Sequence, residues 1–248
     1  MQARKIFLDW YQSSSQGLGL RGIESAYLQQ TVKIAHNQAA LQVGSLAPYP
    51  TASGSYASAI TLCLLPGEAS SPPVNHPACV SLAESMPFVS DTFDICLLPH
   101  VIEFHDAPQQ VLSECERILK PEGQLIILGF NPWHLEGLMH CLPQSSDYQL
   151  LNLISYARLV DWLRASRLSP ELTAGFSINQ PRIRMASTSR LNHMLAQLAP
   201  VYAIRAIKRR YNIINPSTAW QGFRSMIATP GLETACRTIS GHLGHLNE

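Results

Sequence analysis

Two apolar runs near the middle of the chain, Phe93-Asp-Ile-Cys-Leu-Leu98 and Gln124-Leu-Ile-Ile-Leu-Gly129, show no alternation of apolar and polar positions. Continuous runs of this length mark strands buried on both faces. Between them Val111, Leu112, Cys115, Ile118 and Leu119 form one stripe at helical spacing, with Glu114, Glu116 and Arg117 outside it. Asp106 is placed to cap that helix, Pro108 is tolerated in its first turn, and Pro121-Glu-Gly123 stops it. Strand, helix and strand with short connections make a right-handed βαβ unit, so the pattern predicts a parallel sheet in a doubly wound α/β domain.

The flanking segments extend this reading. Gly22 to His36 is helical in pattern, with Ile23, Tyr27 and Ile34 roughly on one face and Glu24 set to offset the helix dipole in the first turn. Short strands are predicted at Leu41–Gly44, Ile60–Leu65 and near Cys79–Leu82, separated by loops rich in Pro, Ser and Gly. Downstream, Ser155–Ala165 reads as a helix packing through Leu159, Val160 and Leu163, and Leu172–Ile178 as a strand. Leu191, Met194, Leu195 and Leu198 define another amphipathic helix, and Val201–Lys208 a late strand. The expected organisation is one domain over 1–212 and a loosely structured basic tail over 213–248.

Composition narrows the class of protein. Of 248 residues, 46% are hydrophobic and 14% charged, with a formal net charge of +1. This excludes a highly charged disordered chain and a nucleic-acid binder defined by bulk basicity. The balance is a cancellation, however: residues 1–179 hold 9 Lys/Arg against 15 Asp/Glu, and residues 180–248 hold 9 against 2. Arg182, Arg184, Arg190, Arg205, Lys208, Arg209 and Arg210 supply much of the basic end. An anionic partner there (acidic lipid, nucleic acid, or the acidic half of the same fold) is the sharper expectation, and a solvated surface the plainer one. No apolar run reaches the ~18 residues of a membrane span and no secretory leader is seen, so a soluble, cytoplasmic protein is expected. The six cysteines lack zinc spacing and read as reduced core thiols. No nucleophile elbow, P-loop or His-Glu-x-x-His occurs.

In open parallel sheets, ligands bind beyond the carboxyl ends of the strands. The segments to inspect are therefore Gly44-Ser45, Leu82-Ala83-Glu84, Pro99-His100-Val101-Ile102-Glu103 and Gly129-Phe130-Asn131-Pro132-Trp133. The stretch Met86-Pro-Phe-Val-Ser-Asp-Thr-Phe-Asp94, then Leu98-Pro-His-Val-Ile-Glu-Phe104, Pro108, Leu112 and Glu116-Arg-Ile-Leu-Lys-Pro-Glu-Gly123, resembles the class I S-adenosylmethionine-dependent methyltransferases of the type 11-like group. The Leu-Pro-His-x-x-Glu-Phe segment, Gly129-Phe-Asn-Pro-Trp133 and Arg158-x-x-x-Asp-Trp-Leu163 look like a little-characterised bacterial branch of them. Similarity is dense over about residues 78–133 and weaker over about 10–45 and 155–210.

The resemblance implies a Rossmann-like α/β fold, a seven-stranded, mostly parallel sheet flanked by helices, with S-adenosylmethionine across the strand ends. It implies cofactor contacts at Gly44, Ser45, Ala83, Glu84, Leu98 and Pro99, and acceptor-facing catalytic candidates at His100 and Glu103. The donor motif is degenerate. Only Gly44 remains of the usual Gly-x-Gly-x-Gly, Glu68 is the nearest acidic residue after the second strand, and Leu82 stands where an Asp usually meets the adenine. The implied function is methyl transfer to an unidentified acceptor, a small molecule among the candidates; the alternative is a catalytically inactive binding or scaffolding domain. A nicotinamide dehydrogenase is disfavoured by the absence of Gly-x-Gly-x-x-Gly after the first strand. His100, Glu103, His105 and Asp106 straddle a strand end and a helix cap, so no metal is expected there. Trp133 is expected to cover the pocket or to pack; for Trp10 and Glu24 core packing and helix-dipole compensation are expected, with a place near a cofactor lid as the alternative.

Overall fold

A computed structural model of the chain describes residues 2–32, 34, 37–46, 60–68, 77–134, 152–177, 182–186 and 190–209. The expected tail, Cys141, Cys236 and most of the loop after Ser45 lie outside this set. The elements are α1 (Gln2–Ser13), α2 (Ser15–Thr31), β1 (Ala40–Val43), β2 (Ile60–Leu64), β3 (Ala78–Val80), β4 (Phe93–Pro99), α3 (Pro108–Ile118), β5 (Leu119–Phe130), α4 (Tyr156–Ala165), β6 (Leu168–Ser177), β7 (Arg182–Met185), α5 (Arg190–Gln197) and β8 (Val201–Lys208). A 3-10 turn, Ile102–Phe104, follows β4.

Eight strands form one sheet in the order β3-β2-β1-β4-β5-β8-β6-β7. The pairs from β3 through β5 are parallel, and β8 runs antiparallel to both β5 and β6. The last described strand in sequence therefore fills an interior position, between two strands made earlier. The βαβ unit read from the sequence is β4-α3-β5, with Ile95 opposite Gln124 and Leu98 opposite Ile127. The mostly parallel α/β fold holds, with one strand more than the seven expected. The extra edge strand is β7, only four residues of Arg-Ile-Arg-Met, too short to declare itself by alternation.

Continuous apolar runs are explained by what lies on each face. Along β4, Cys96 and Leu98 join a cluster with Val111, Leu112 and Cys115 of α3 and Leu159 and Leu163 of α4. Ile95 and Leu97 join the opposite cluster, with Phe7, Trp10 and Tyr11 of α1 and Leu20 and Tyr27 of α2. Helices cover both faces, so neither set of alternate residues can be polar. Asp94 interrupts the run for a structural reason: its carboxylate accepts from the Ala39 amide at 2.9 Å and pairs with Lys120 at 2.8 Å. Cys63, Cys79, Cys96 and Cys115 are free thiols.

Three local expectations are corrected. Helix α2 begins seven residues before Gly22, capped by Ser14, whose hydroxyl accepts from the Gly17 amide at 2.9 Å. Gly17 and Gly19 obscure that start in the sequence, yet Gly17 is needed where α2 meets α1: a side chain there would strike the Trp10 carbonyl and the Tyr11 backbone. Asp106 does not cap α3; Ala107 holds that position without a side-chain bond. Glu24, expected in the first turn, lies well inside α2 and is buried.

Helix α5 has the predicted apolar stripe, but the stripe faces away from the sheet. A Cβ on Gly175 of β6 would lie 2.5 Å from the Ala196 carbonyl and 2.5 Å from the Ala199 Cβ. That close approach fixes the helix's rotation with its small residues inward, leaving Leu191, Met194, Leu195 and Leu198 exposed.

Candidate functional site

A cavity of about 650 Å³ opens beyond the carboxyl ends of β2 and β3. Its walls are the turn Leu65–Glu68, the segment Leu82–Glu84, the segment Phe104–Ala107, and Arg4, Lys5 and Leu8 of α1. Leu82 is 51% exposed on this wall, and Ala83 beside it is buried. The Ala107 amide donates to His105 Nδ1 at 3.0 Å, so Nε2 carries the proton and donates to Glu84 at 2.7 Å. Partial burial alone would raise the Glu84 carboxyl, but a backbone N–H and His105 hold it below the usual range.

Arg4 joins this cavity to the ends of β1 and β4. Its Nε meets Glu68 Oε1 at 2.5 Å, and Nη1 donates to the His100 carbonyl at 2.5 Å. The other Glu68 oxygen accepts from the Ser45 amide at 2.9 Å and the Leu65 amide at 3.2 Å. Nη2 is buried and has no hydrogen-bond partner among the described residues. The space it occupies exists because residue 44 is glycine: a Cβ there would collide with Nη2, and Gly44 also holds φ +88°, which L side chains rarely adopt.

Behind Arg4 lies a closed charged network. His100, fully buried with φ +48°, reaches Glu24 Oε1 through Nε2 at 2.9 Å and Glu103 Oε1 through Nδ1 at 3.1 Å. Glu24 Oε2 accepts from the Tyr11 hydroxyl at 2.6 Å, and Glu103 Oε1 also accepts from the Phe130 amide at 3.0 Å. With a carboxylate oxygen at each ring nitrogen, both nitrogens have an acceptor within reach, an arrangement that favours the imidazolium. Burial alone would lower the His100 pKa; Glu24 and Glu103 outweigh it and raise the value to about 9. The Phe130 ring stacks on the imidazole at 4.2 Å between centroids, and Phe7 meets it edge-on at 5.4 Å. Glu103 Oε2 is buried without a hydrogen-bond partner among the described residues.

The structure thus distributes the residues singled out in the sequence. Ala83 and Glu84 line the cavity, and Ser45 and Gly44 touch Glu68 and Arg4 at its inner end. Leu98 and Pro99 are buried at the end of β4 rather than on the cavity wall. His100 and Glu103 are brought together, but inside the network rather than on an open face. Trp133 is 80% exposed, so it does not pack in the core. Arg4 and the partnership of Tyr11 with Glu24 were missed; Phe7, Trp10 and Tyr11 at helical spacing were the signal for α1.

Residues 64–127 match the model of the methyltransferase domain family. Over 81 residues the chain is 35% identical to the uncharacterized protein YafS of Escherichia coli (strain K12), covering 32% of this chain and 33% of that protein. Over 90 residues it is 30% identical to the ubiquinone/menaquinone biosynthesis C-methyltransferase UbiE of Ruegeria sp. (strain TM1040), covering 33% of this chain and 36% of that enzyme. The matches thus span about a third of these curated relatives' length. An S-adenosylmethionine-dependent methyltransferase structure from Thermotoga maritima superposes with a TM-score of 0.56 at 16% identity, covering 84% of this chain and 95% of that one. The sheet and its flanking helices give this chain the fold of the class I S-adenosylmethionine-dependent methyltransferases, and the segment that resembles the methyltransferase domain family lies at its centre.

Proposed function

We propose that the chain is an S-adenosylmethionine-dependent methyltransferase acting on an unidentified acceptor. The observation that carries this reading is the pairing of a cavity at the ends of β2 and β3 with a buried arginine whose Nη2 lacks a partner. The cavity suits an adenosine, and a buried guanidinium N–H suits a carboxylate, the two ends of this donor. The residues therefore fit the cofactor.

When bound, S-adenosylmethionine supplies a methyl group on a positively charged sulfur. Arg4 would hold the donor's carboxylate through Nη2 while Glu68 keeps the guanidinium in place. The Leu65–Glu68 turn and Ala83–Glu84 would border the adenosine. Leu82 offers that end an apolar wall and no acceptor atom. Gly44 lets Arg4 approach, and the Ser45 amide orients Glu68. Glu103 is the candidate proton acceptor because Oε2 is uncommitted; it is enclosed in the network, so an acceptor would reach it only where the network opens. His100, already protonated at neutral pH, is the positioning group: it aligns Glu103 through Nδ1 and Arg4 through its carbonyl. Alignment and exclusion of water are the main tasks in transfer from a sulfonium, whose leaving thioether needs no proton.

Calorimetric titration tests the donor site without requiring an acceptor. Arg4→Met is expected to weaken S-adenosylmethionine binding by about 10–100-fold, the size of a charge-assisted hydrogen bond. It should leave binding of adenosine, which lacks the carboxylate, within about twofold. Equal losses for both ligands would remove Arg4 from the carboxylate role. Leu82→Asp should tighten donor binding by about tenfold by adding an acceptor on the cavity wall; unchanged affinity would place the adenine elsewhere. The alternative, an inactive binding domain, draws on Leu82 and on the closure of the His100 network. Adenosine binding with no detectable S-adenosylmethionine binding would favour it.

A further inference from the structure

We infer that α5 and the adjoining β7 form a docking surface for an anionic lipid bilayer, with the helix lying along the membrane interface. The argument starts from the outward stripe. Leu191 is 65% exposed and Met194 58%, and Leu195 and Leu198 continue the same face. The small-residue contact of Gly175 with Ala196 and Ala199 leaves the helix no rotation that would bury them. An apolar helical face held outward by the fold is costly in water unless something covers it.

Charge selects the occupant. From Leu172 to Leu232 the chain contains no Asp or Glu, against 8 Lys and Arg. Arg205, Lys208 and Arg209 are neutralised by Glu171, Asp91 and Glu122 respectively. Arg184 of β7 and Arg190 at the start of α5 are exposed and belong to no ion pair among the described residues. Leucine and methionine flanked by arginine, with no carboxylate to repel phosphate, is the composition of an interfacial helix. Nucleic acid would use the arginines but gain little from the leucines. A protein partner of ordinary surface charge would not explain the missing acids. Trp133 supports the same orientation: the Asn131 amide donates to the Gln197 and Ala199 carbonyls, fixing the exposed indole's segment beside the end of α5. Tryptophan favours the headgroup level. Among the described residues no helix is long and apolar enough to cross a membrane, so the contact is peripheral. This inference does not depend on methyl transfer.

Co-sedimentation of the full chain with phosphatidylcholine vesicles, with and without phosphatidylglycerol, tests it, alongside sedimentation velocity without lipid. Binding is expected only where phosphatidylglycerol is present, and it should weaken as salt rises. Leu191→Glu with Met194→Glu should reduce it by more than about tenfold. Arg184→Glu with Arg190→Glu should also reduce it by about tenfold or more. Because all four side chains are exposed, these variants should keep the wild-type unfolding midpoint. Absence of binding to the anionic vesicles would overturn the inference, as would undiminished binding by the Leu191/Met194 variant, which would place the lipid contact elsewhere. A wild-type dimer that the same variant dissociates would assign the stripe to a second copy. Retention of an oligonucleotide but not vesicles would assign the arginines to nucleic acid.

Discussion

Glu24→Ala should lower the unfolding free energy by about 3–5 kcal/mol, the usual cost of removing one partner from a buried ion pair. The carboxylate is 1% exposed and serves two groups, His100 Nε2 at 2.9 Å and the Tyr11 hydroxyl at 2.6 Å. Truncation leaves an imidazolium N–H and a phenol in a dry interior formed by Phe7, Phe130 and Trp10. Tyr11 already resists ionisation strongly, because of burial first and Glu24 second, so it cannot compensate by changing its own charge. Urea titration reads the effect as a lower midpoint at unchanged slope. Glu24→Gln, which keeps an amide within reach of both partners, should lose less. A loss below about 1 kcal/mol for the alanine variant would mean that the network is solvated like a surface ion pair.

The same network makes stability pH-dependent, with a sign set by His100. Its pKa rises from 6.5 in the unfolded chain to about 9 in the fold, because Glu24 and Glu103 outweigh the opposing burial. The native state therefore holds the proton more tightly. The contribution is fully present below pH 6.5 and is lost as pH climbs through 9. Its size is about 3 kcal/mol from the linkage of pKa to stability. Two groups bond this ring, Glu24 from α2 and Glu103 from the turn after β4, while Tyr11 of α1 bonds Glu24 and Arg4 bonds the His100 backbone carbonyl. Denaturant midpoints measured between pH 6 and 9.5 should fall steadily across the window. His100→Asn, chosen because asparagine tolerates the positive φ, should flatten the profile. A flat wild-type profile would show that the ring is neutral in the fold.

The βαβ centre was legible because the apolar runs of β4 and of the second half of β5, and the stripe of α3, are each long and regular; the start of β5 at Leu119 was not, because Lys120-Pro-Glu-Gly123 reads as a helix stop. Helical cover on both faces makes β4 uniformly apolar, and the stripe of α3 meets that same sheet. The strand ends were legible as the place to look for a topological reason, since open sheets bind ligands beyond them, and the cavity opens beyond β2 and β3. What the residues there do was not legible. His100 and Glu103 are three apart, but Glu24 lies 76 residues from His100 and Arg4 lies 64 from Glu68; no local pattern encodes such pairings. Glu24 also fits a helix-dipole role, and only tertiary contact distinguishes a solvated carboxylate from a buried one. The stripe of α5 shows the opposite limit. Periodicity located it, while its direction was decided by Gly175, on a different element.

The interior place of β8 has a consequence for synthesis on the ribosome. β5 and β6 are complete before β8 exists, yet they have no direct pairing with each other and meet only through it. Until residues 201–208 emerge, the nascent sheet has a gap at its centre with unpaired backbone on both sides. At about 5–20 residues per second, the wait from the end of β5 to the end of β8 is about 4–16 s. Through that interval the growing chain resembles an aggregation-prone open edge rather than a folded domain, and closure waits until residues 201–208 have emerged.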